Sequence, residues 1–136
     1  MESILRLLLA TFLGLLIGLE RELRGKSVGL RTCGLVSLSC CLISIISIWM
    51  YQQYPNVDPT RIMASIPQAI GFLGIGIIIH KGTNTFGLTT AATILGTASI
   101  GLAVGTGAFL PAIVGWLLVA FTVIVHIYIF TSRVSS

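Results

Sequence analysis

Apolar residues run through this chain in long unbroken stretches, separated by a few short polar punctuation marks. No Asp, Glu, Lys or Arg occurs between Gly82 and Ser132. A membrane-spanning helix needs about 20 predominantly apolar residues, so this stretch holds two, with Gly105, Gly107 and Pro111 marking the turn between them. Ile62–Ile79 is uncharged and bounded by Arg61 and Lys81, and Thr32–Val57 is uncharged with an apolar part ending near Tyr51. The first segment, Ser3–Leu19, carries one charge, Arg6, placed to snorkel to the interface. The pattern predicts an all-α membrane protein, a single domain over residues 1–136, with five spans near 3–20, 31–51, 62–80, 88–105 and 111–131. Continuous apolar runs, rather than alternating short strands, favour helices over a barrel.

Composition agrees. The 136 residues are 55% hydrophobic and 9% charged, with a mean hydropathy of +1.02, whereas a soluble domain carries about a quarter charged residues. That excludes an ordinary soluble enzyme and a disordered tail. Eight Lys+Arg against four Asp+Glu are too few and too scattered for a phosphate-tracking surface, so no nucleic-acid partner is expected. The partner that composition demands is the lipid bilayer. The first segment lacks a small-residue cleavage site before Glu20-Arg21-Glu22-Leu23-Arg24, and it reads as a retained span.

Basic residues in short loops set orientation. With the N-terminus outside, Arg21, Arg24, Lys26, Arg31, Lys81 and Arg133 fall inside, leaving Arg6 and Arg61 outside. The expected topology is therefore N-out, C-in. Trp49, Tyr51, Tyr54 and Tyr128 fit interfacial anchoring.

Small residues mark where helices approach closely. Gly14-xxx-Gly18 lies in the first span and Gly101-xxx-Gly105 in the fourth, which also carries Thr89, Thr93 and Thr97 at four-residue spacing. Ser37, Cys41 and Ser44 form a similar stripe on the second, so spans two and four are expected at the centre. The fifth, bulky and aliphatic, is expected at the periphery. Cys33, Cys40 and Cys41 show no metal or disulfide spacing and read as packing residues. Pro67 removes a backbone donor and clashes with the Met63 carbonyl, predicting a kink or break in the third span beside Gln68. Broken helices at mid-membrane can build ion sites, so Gln68, Thr93 and Thr97 are candidates for a polar pathway, with tight packing as the alternative use of the same residues. A faint internal echo relates Ile17-Gly18…Gly29-Leu30 to Ile75-Gly76…Gly87-Leu88 and suggests a parallel repeat.

At the rims, Glu20 and Arg24 have the order and spacing of a helical ion pair, and Glu20, Arg21 and Arg31 are candidates for a compact inner network. Asp58-Pro59 has the form of an N-cap followed by a first-turn proline, with Arg61 placed to pair with Asp58. No carboxylate lies within a span, His80 and His126 have no partner at ligand spacing, and no nucleophile–base or paired-acid set is present. Catalysis and a cofactor are not expected, and the sequence leaves a metal site open.

These residues form a recognisable set. Ile17-Gly-Leu-Glu-Arg-Glu22, Gly29-Leu-Arg-Thr32, Asp58-Pro-Thr-Arg-Ile62, Ile70-Gly-Phe-Leu-Gly74, Gly87-Leu-Thr-Thr-Ala-Ala-Thr93 and Ile100-Gly-Leu-Ala103 resemble, in order, the motifs of the MgtC/SapB family of bacterial membrane proteins. The resemblance implies a five-helix membrane domain, a link to growth in low magnesium and to virulence, and localisation in the inner membrane. It further implies a regulator that contacts other membrane proteins, the ATP synthase among them, with magnesium or other cation transport as the alternative. A homo-oligomer is compatible with both. The motif positions that carry over are Glu20, Arg21, Arg31, Asp58, Arg61, Gly71, Gly74, Gly87, Thr89 and Thr90. Many members continue into a cytosolic domain resembling the ACT fold, which the sequence to Ser136 does not contain. Pro67-Gln68-Ala69, Gly74-Ile75-Gly76 and Leu95 depart from the family's usual residues.

Overall fold

A computed structural model describes the backbone of residues 1–81 and 84–134, and the side chains of 1–78 and 86–125. His80, Lys81, His126, Tyr128 and Arg133 therefore lie outside the described side chains. The helices are α1 (Glu2–Leu23), α2 (Leu30–Gln53), α3 (Pro59–Met63), α4 (Ser65–Ile77), α5 (Leu88–Thr106) and α6 (Phe109–Val134), with β1 (Ile79–Lys81) and β2 (Asn84–Phe86) between α4 and α5. α3 and α4 together make the third of five spans. The all-α reading holds apart from one antiparallel hairpin, in which Ile79 faces Phe86 and Lys81 faces Asn84.

Two of the boundaries that differ from expectation bear on the site. The third span ends at Ile77 rather than near 80, because residues 79–81 turn into the hairpin. The first span continues to Leu23, which carries Glu20, Arg21 and Glu22 on a helix instead of a loop. The expected break beside Pro67 is present: α3 ends at Met63, Ala64 caps it, and α4 restarts at Ser65. Pro67 can neither donate to the Met63 carbonyl nor avoid its bulk. Ser65 Oγ turns back to donate to the Ile62 carbonyl at 2.6 Å.

α2 and α5 are central. α5 packs against α1, α2, α4 and α6, and α2 packs against α1, α3 and α5. The close contacts come from glycines, as the small-residue motifs predict. A β-carbon on Gly14 would sit 2.7 Å from the Cys33 carbonyl oxygen, and one on Gly18 2.6 Å from Leu30 Cα. On the other side of α2, a β-carbon on Gly101 would overlap the Ser37 carbonyl, and one on Gly105 would sit 2.6 Å from that of Cys41. Both GxxxG motifs thus clamp the same helix, one from α1 and one from α5. They are used inside the fold and are not free to mediate association.

The solvent rule of soluble proteins is inverted. Ser37, Ser44, Ser47, Thr93 and Thr97 are buried, while Leu5, Leu8, Phe12, Leu35, Phe72, Ile75, Leu110, Leu117 and Phe121 are exposed. Large apolar side chains facing outward on helices of 19 residues or more form a lipid-contacting belt. The exposed residues of α6 fit its expected peripheral place; its anchor is Trp116, whose Nε1 donates to the Leu13 carbonyl at 3.0 Å. Cys33, Cys40 and Cys41 are buried free thiols that pack the α2 surface.

Candidate functional site

The polar features gather at the two ends of the bundle and along a buried seam between them. α1 and α2 are antiparallel neighbours joined by a short turn, so Arg21, Glu22, Leu30 and the start of α5 share one end. The N-terminus of α1, the end of α2 and the end of α5 share the other.

Along the seam, hydroxyls are consumed locally. Thr93 Oγ1 donates to the Thr89 carbonyl and Thr97 Oγ1 to the Thr93 carbonyl, both at 2.8 Å. Ser44 does the same to Cys40 at 2.8 Å and Ser47 to Ile43 at 2.7 Å. Such back-bonding satisfies each hydroxyl proton within its own helix, so these residues can be buried without a ligand or a partner helix. Ser37 is the cross-link, donating to the Ala10 carbonyl of α1 at 2.7 Å. Thr93 also borders a groove between α5 and α6, about 250 Å³ in volume, with Thr89 and Thr122 on its wall. Gln68 is exposed on α4 and lies outside that groove. The candidate pathway residues are therefore split between the core and an outward face.

At the first end, Arg6 is held rather than snorkelling freely. It donates from Nη1 to the Gly105 carbonyl at 3.0 Å, pairs with Glu2, and lies 5.7 Å from the Phe109 ring centre. A cation at the C-terminal carbonyls of α5 meets the negative end of the helix dipole. An arginine within an apolar span is a functional or structural anchor by default, a signal that singles out Arg6. Asp58 caps α3 as its sequence predicts, but through Thr60: Oδ1 accepts from the Thr60 amide at 2.9 Å and from its hydroxyl at 2.7 Å. The Thr60 hydroxyl and then its amide hold this carboxyl below the usual carboxylate range, with a smaller contribution from Arg61. Arg61 is exposed and forms no ion pair with Asp58.

At the second end, Glu20 pairs with Arg24 as spacing predicts. The expected Glu20–Arg21–Arg31 network is not formed. Helical geometry points Glu20 and Arg21 in different directions, so Arg21 turns inward to 4% exposure and donates from Nη2 to Thr90 Oγ1 at 3.3 Å. Arg31 is exposed on an open cavity of about 280 Å³ shared with Glu22 and Lys26. Glu22 Oε2 accepts from the Leu30 amide at 2.8 Å and so caps α2. Gly87 starts α5 at φ +85°, and a β-carbon there would overlap the Ile77 carbonyl; only glycine fits. Thr89 is exposed beside it. Gly74 faces Ala91 across the α4–α5 contact, whereas Gly71 has open space around it. The echo between the two halves places a glycine at the N-cap of α2 and of α5, with a turn in one connection and the hairpin in the other. Among the described residues no group of His, Cys, Asp and Glu is arranged to hold a metal ion.

The sequence model of the MgtC family matches residues 7–131. The chain belongs to the MgtC family. It is 40% identical over 128 residues to protein SapB of Bacillus subtilis strain 168, an alignment covering 90% of this chain and 55% of that protein. It is 40% identical over 119 residues to YhiD of Escherichia coli strain K12, provisionally named there as a magnesium transporter, with 84% and 55% covered. To protein MgtC of Salmonella typhimurium strain 14028s it is 40% identical over 116 residues, with 85% and 48% covered. The chain spans about half the length of the curated relatives it matches. No solved structure matches it. Family and apolar helices together make it a multi-pass protein of the bacterial inner membrane.

Proposed function

We propose that this domain is a non-enzymatic regulator in adaptation to low magnesium, acting through lipid-facing contacts with other membrane proteins, of which the ATP synthase is one candidate. The magnesium link rests on the names of the MgtC and YhiD relatives. The observation that carries the mode of action is the closed three-helix core. α1, α2 and α5 approach to backbone contact at four glycines, and the hydroxyls between them are bound to backbone carbonyls. Guanidinium groups tie the helices together at both ends, Arg6 through the Gly105 carbonyl and Glu2, and Arg21 through Thr90 Oγ1. No carboxylate lies between them, although divalent cations are ordinarily held by carboxylates. Among the exposed apolar faces, that of α4 also carries an amide: Gln68, Gly71, Phe72 and Ile75 are exposed there. An amide near the middle of a span gains most from a partner helix that can hydrogen-bond it. In this reading the N-terminus is outside and Asp58 and Arg61 lie at the outer rim, with Glu20, Arg21 and Arg31 at the inner one. The protein also forms homo-oligomers through the same face when no other partner is present.

The test is photo-cross-linking in intact bacterial membranes. A photoreactive residue at Phe72 is expected to capture a membrane protein or a second copy, and Gly71→Leu to abolish capture. The same probe at Leu117 of α6 is the control. Equal yields at both positions would remove the α4 face from the account.

The competing reading is cation transport, suggested by the name of the YhiD relative and by the groove bordered by Thr89, Thr93 and Thr122. Direct flux measurement separates the two.

A further inference from the structure

Arg21 is 4% exposed, yet none of the described residues supplies it with a counter-ion. The sequence contains four acidic side chains, and each is engaged elsewhere. Glu2 pairs with Arg6, Glu20 with Arg24, Glu22 takes the Leu30 amide, and Asp58 takes Thr60. Arg21 has one polar contact among the described residues, the 3.3 Å bond to Thr90 Oγ1, and its Nε is buried without a partner there. A buried cation left uncompensated is strongly unfavourable, so a bound anion would stabilise it.

The guanidinium meets a second positive element. Thr90 is the third residue of α5, a helix of 19 residues whose N-cap, Gly87, offers no side-chain cap. The amides of Leu88, Thr89 and Thr90 have no hydrogen-bond acceptor among the described residues, and the helix dipole adds positive potential at this point. At the start of α2 the Glu22 carboxylate fills the same role. In the second half of the echo, the residue at the position of Glu22 is His80, which carries no carboxylate. Leu88 and Thr89 are exposed, so the helix start can be approached from the loop side. Arg24, Lys26 and Arg31 on the neighbouring connection draw anions towards it.

We propose that Arg21, the Thr90 hydroxyl and the first-turn amides of α5 form a binding site for a phosphate-type oxyanion, drawn either from an anionic phospholipid headgroup or from soluble phosphate. Helix N-terminal amides combined with a guanidinium are a standard phosphate-binding combination, and the end of a membrane span lies at headgroup depth. The proposal does not depend on the regulatory reading.

The experiment uses the full chain, delipidated in a phosphate-free maltoside detergent. Thermal unfolding is followed by the fluorescence of Trp49 and Trp116 while inorganic phosphate or phosphatidylglycerol is titrated in. Saturable stabilisation by inorganic phosphate identifies a soluble source; stabilisation by phosphatidylglycerol alone identifies a lipid source. In either arm Arg21→Gln is expected to weaken the apparent Kd about tenfold or more, with Arg61→Gln, at the opposite end of the bundle, close to the parent. Thr90→Val removes one donor and keeps the shape, giving about a fivefold weakening; it stands in if Arg21→Gln does not fold. No stabilisation in either arm, or equal stabilisation with Arg21→Gln and Thr90→Val, overturns the site.

Discussion

Gly101 lies directly against the Ser37 backbone, so close that a β-carbon at 101 would overlap the Ser37 carbonyl oxygen. This contact fixes the spacing of α2 and α5, the two helices around which the others pack. It also reassigns a motif. A GxxxG pair in an apolar helix invites a dimerisation reading, whereas here Gly101 and Gly105 build the protomer.

Gly101→Ala should therefore destabilise the protomer itself, because backbone atoms cannot yield as a flexible side chain can. Overpacking of this kind costs about 1–3 kcal/mol, or more where backbone is struck. Gly71→Ala, with open space around it, should stay within about 0.5 kcal/mol of the parent. Unfolding in mixed detergent micelles measures both. Equal effects would mean that the α2–α5 contact is looser than described.

Arg6 ties the start of α1 to the end of α5. Arg6→Ala removes its bonds to the Gly105 carbonyl and to Glu2, and should lower stability by about 1–3 kcal/mol. Arg6→Lys should recover part of that loss, since an ammonium keeps the charge but not the planar fork. The same unfolding assay reads both. A fully neutral Arg6→Ala would show that the bond to Gly105 contributes nothing.

Trp116→Phe keeps the apolar ring and deletes the 3.0 Å bond to the Leu13 carbonyl. The expected cost is about 1 kcal/mol, seen as easier proteolysis of the α5–α6 connection under mild destabilisation. Unchanged proteolysis would mean that α6 is held by packing alone.

Much of this architecture is legible from the order of residues, and the exceptions share a cause. Uncharged runs locate the spans, Pro67 locates the break before α4, and Asp58-Pro59 announces the α3 cap, because each depends on local chemistry. The hairpin at 79–86 is hidden behind Ile77, Ile78 and Ile79, which continue an apolar run in either a helix or a strand. Arg21 and Arg31 belong to neighbouring motifs, and their separation into a buried and an exposed group is invisible locally. Arg21 finds Thr90 69 residues away, a pairing set by the packing of α1 on α5. Arg6 reads as a tolerated charge until its acceptor at Gly105 is seen.

Asp58 is the sole aspartate of the chain, so a carbon-13 aspartate label follows it alone. Its carboxyl is held below the unfolded value of 3.8 by the Thr60 hydroxyl and amide. A depressed folded pKa stabilises the folded state above the unfolded value; that contribution declines as pH falls below 3.8 and is gone below the folded pKa. Thr60→Val should raise the Asp58 midpoint towards 3.8, with the cap more easily lost in acid. An unchanged midpoint would remove the Thr60 hydroxyl as the cause.

A domain that works by contact does not conduct magnesium. The direct measurement is magnesium uptake into liposomes holding the purified, folded and inserted protein, with a trapped indicator and a potassium control. The account predicts uptake no greater than in empty liposomes. Selective magnesium uptake that disappears with Thr93→Val would contradict it and put a pathway along α5.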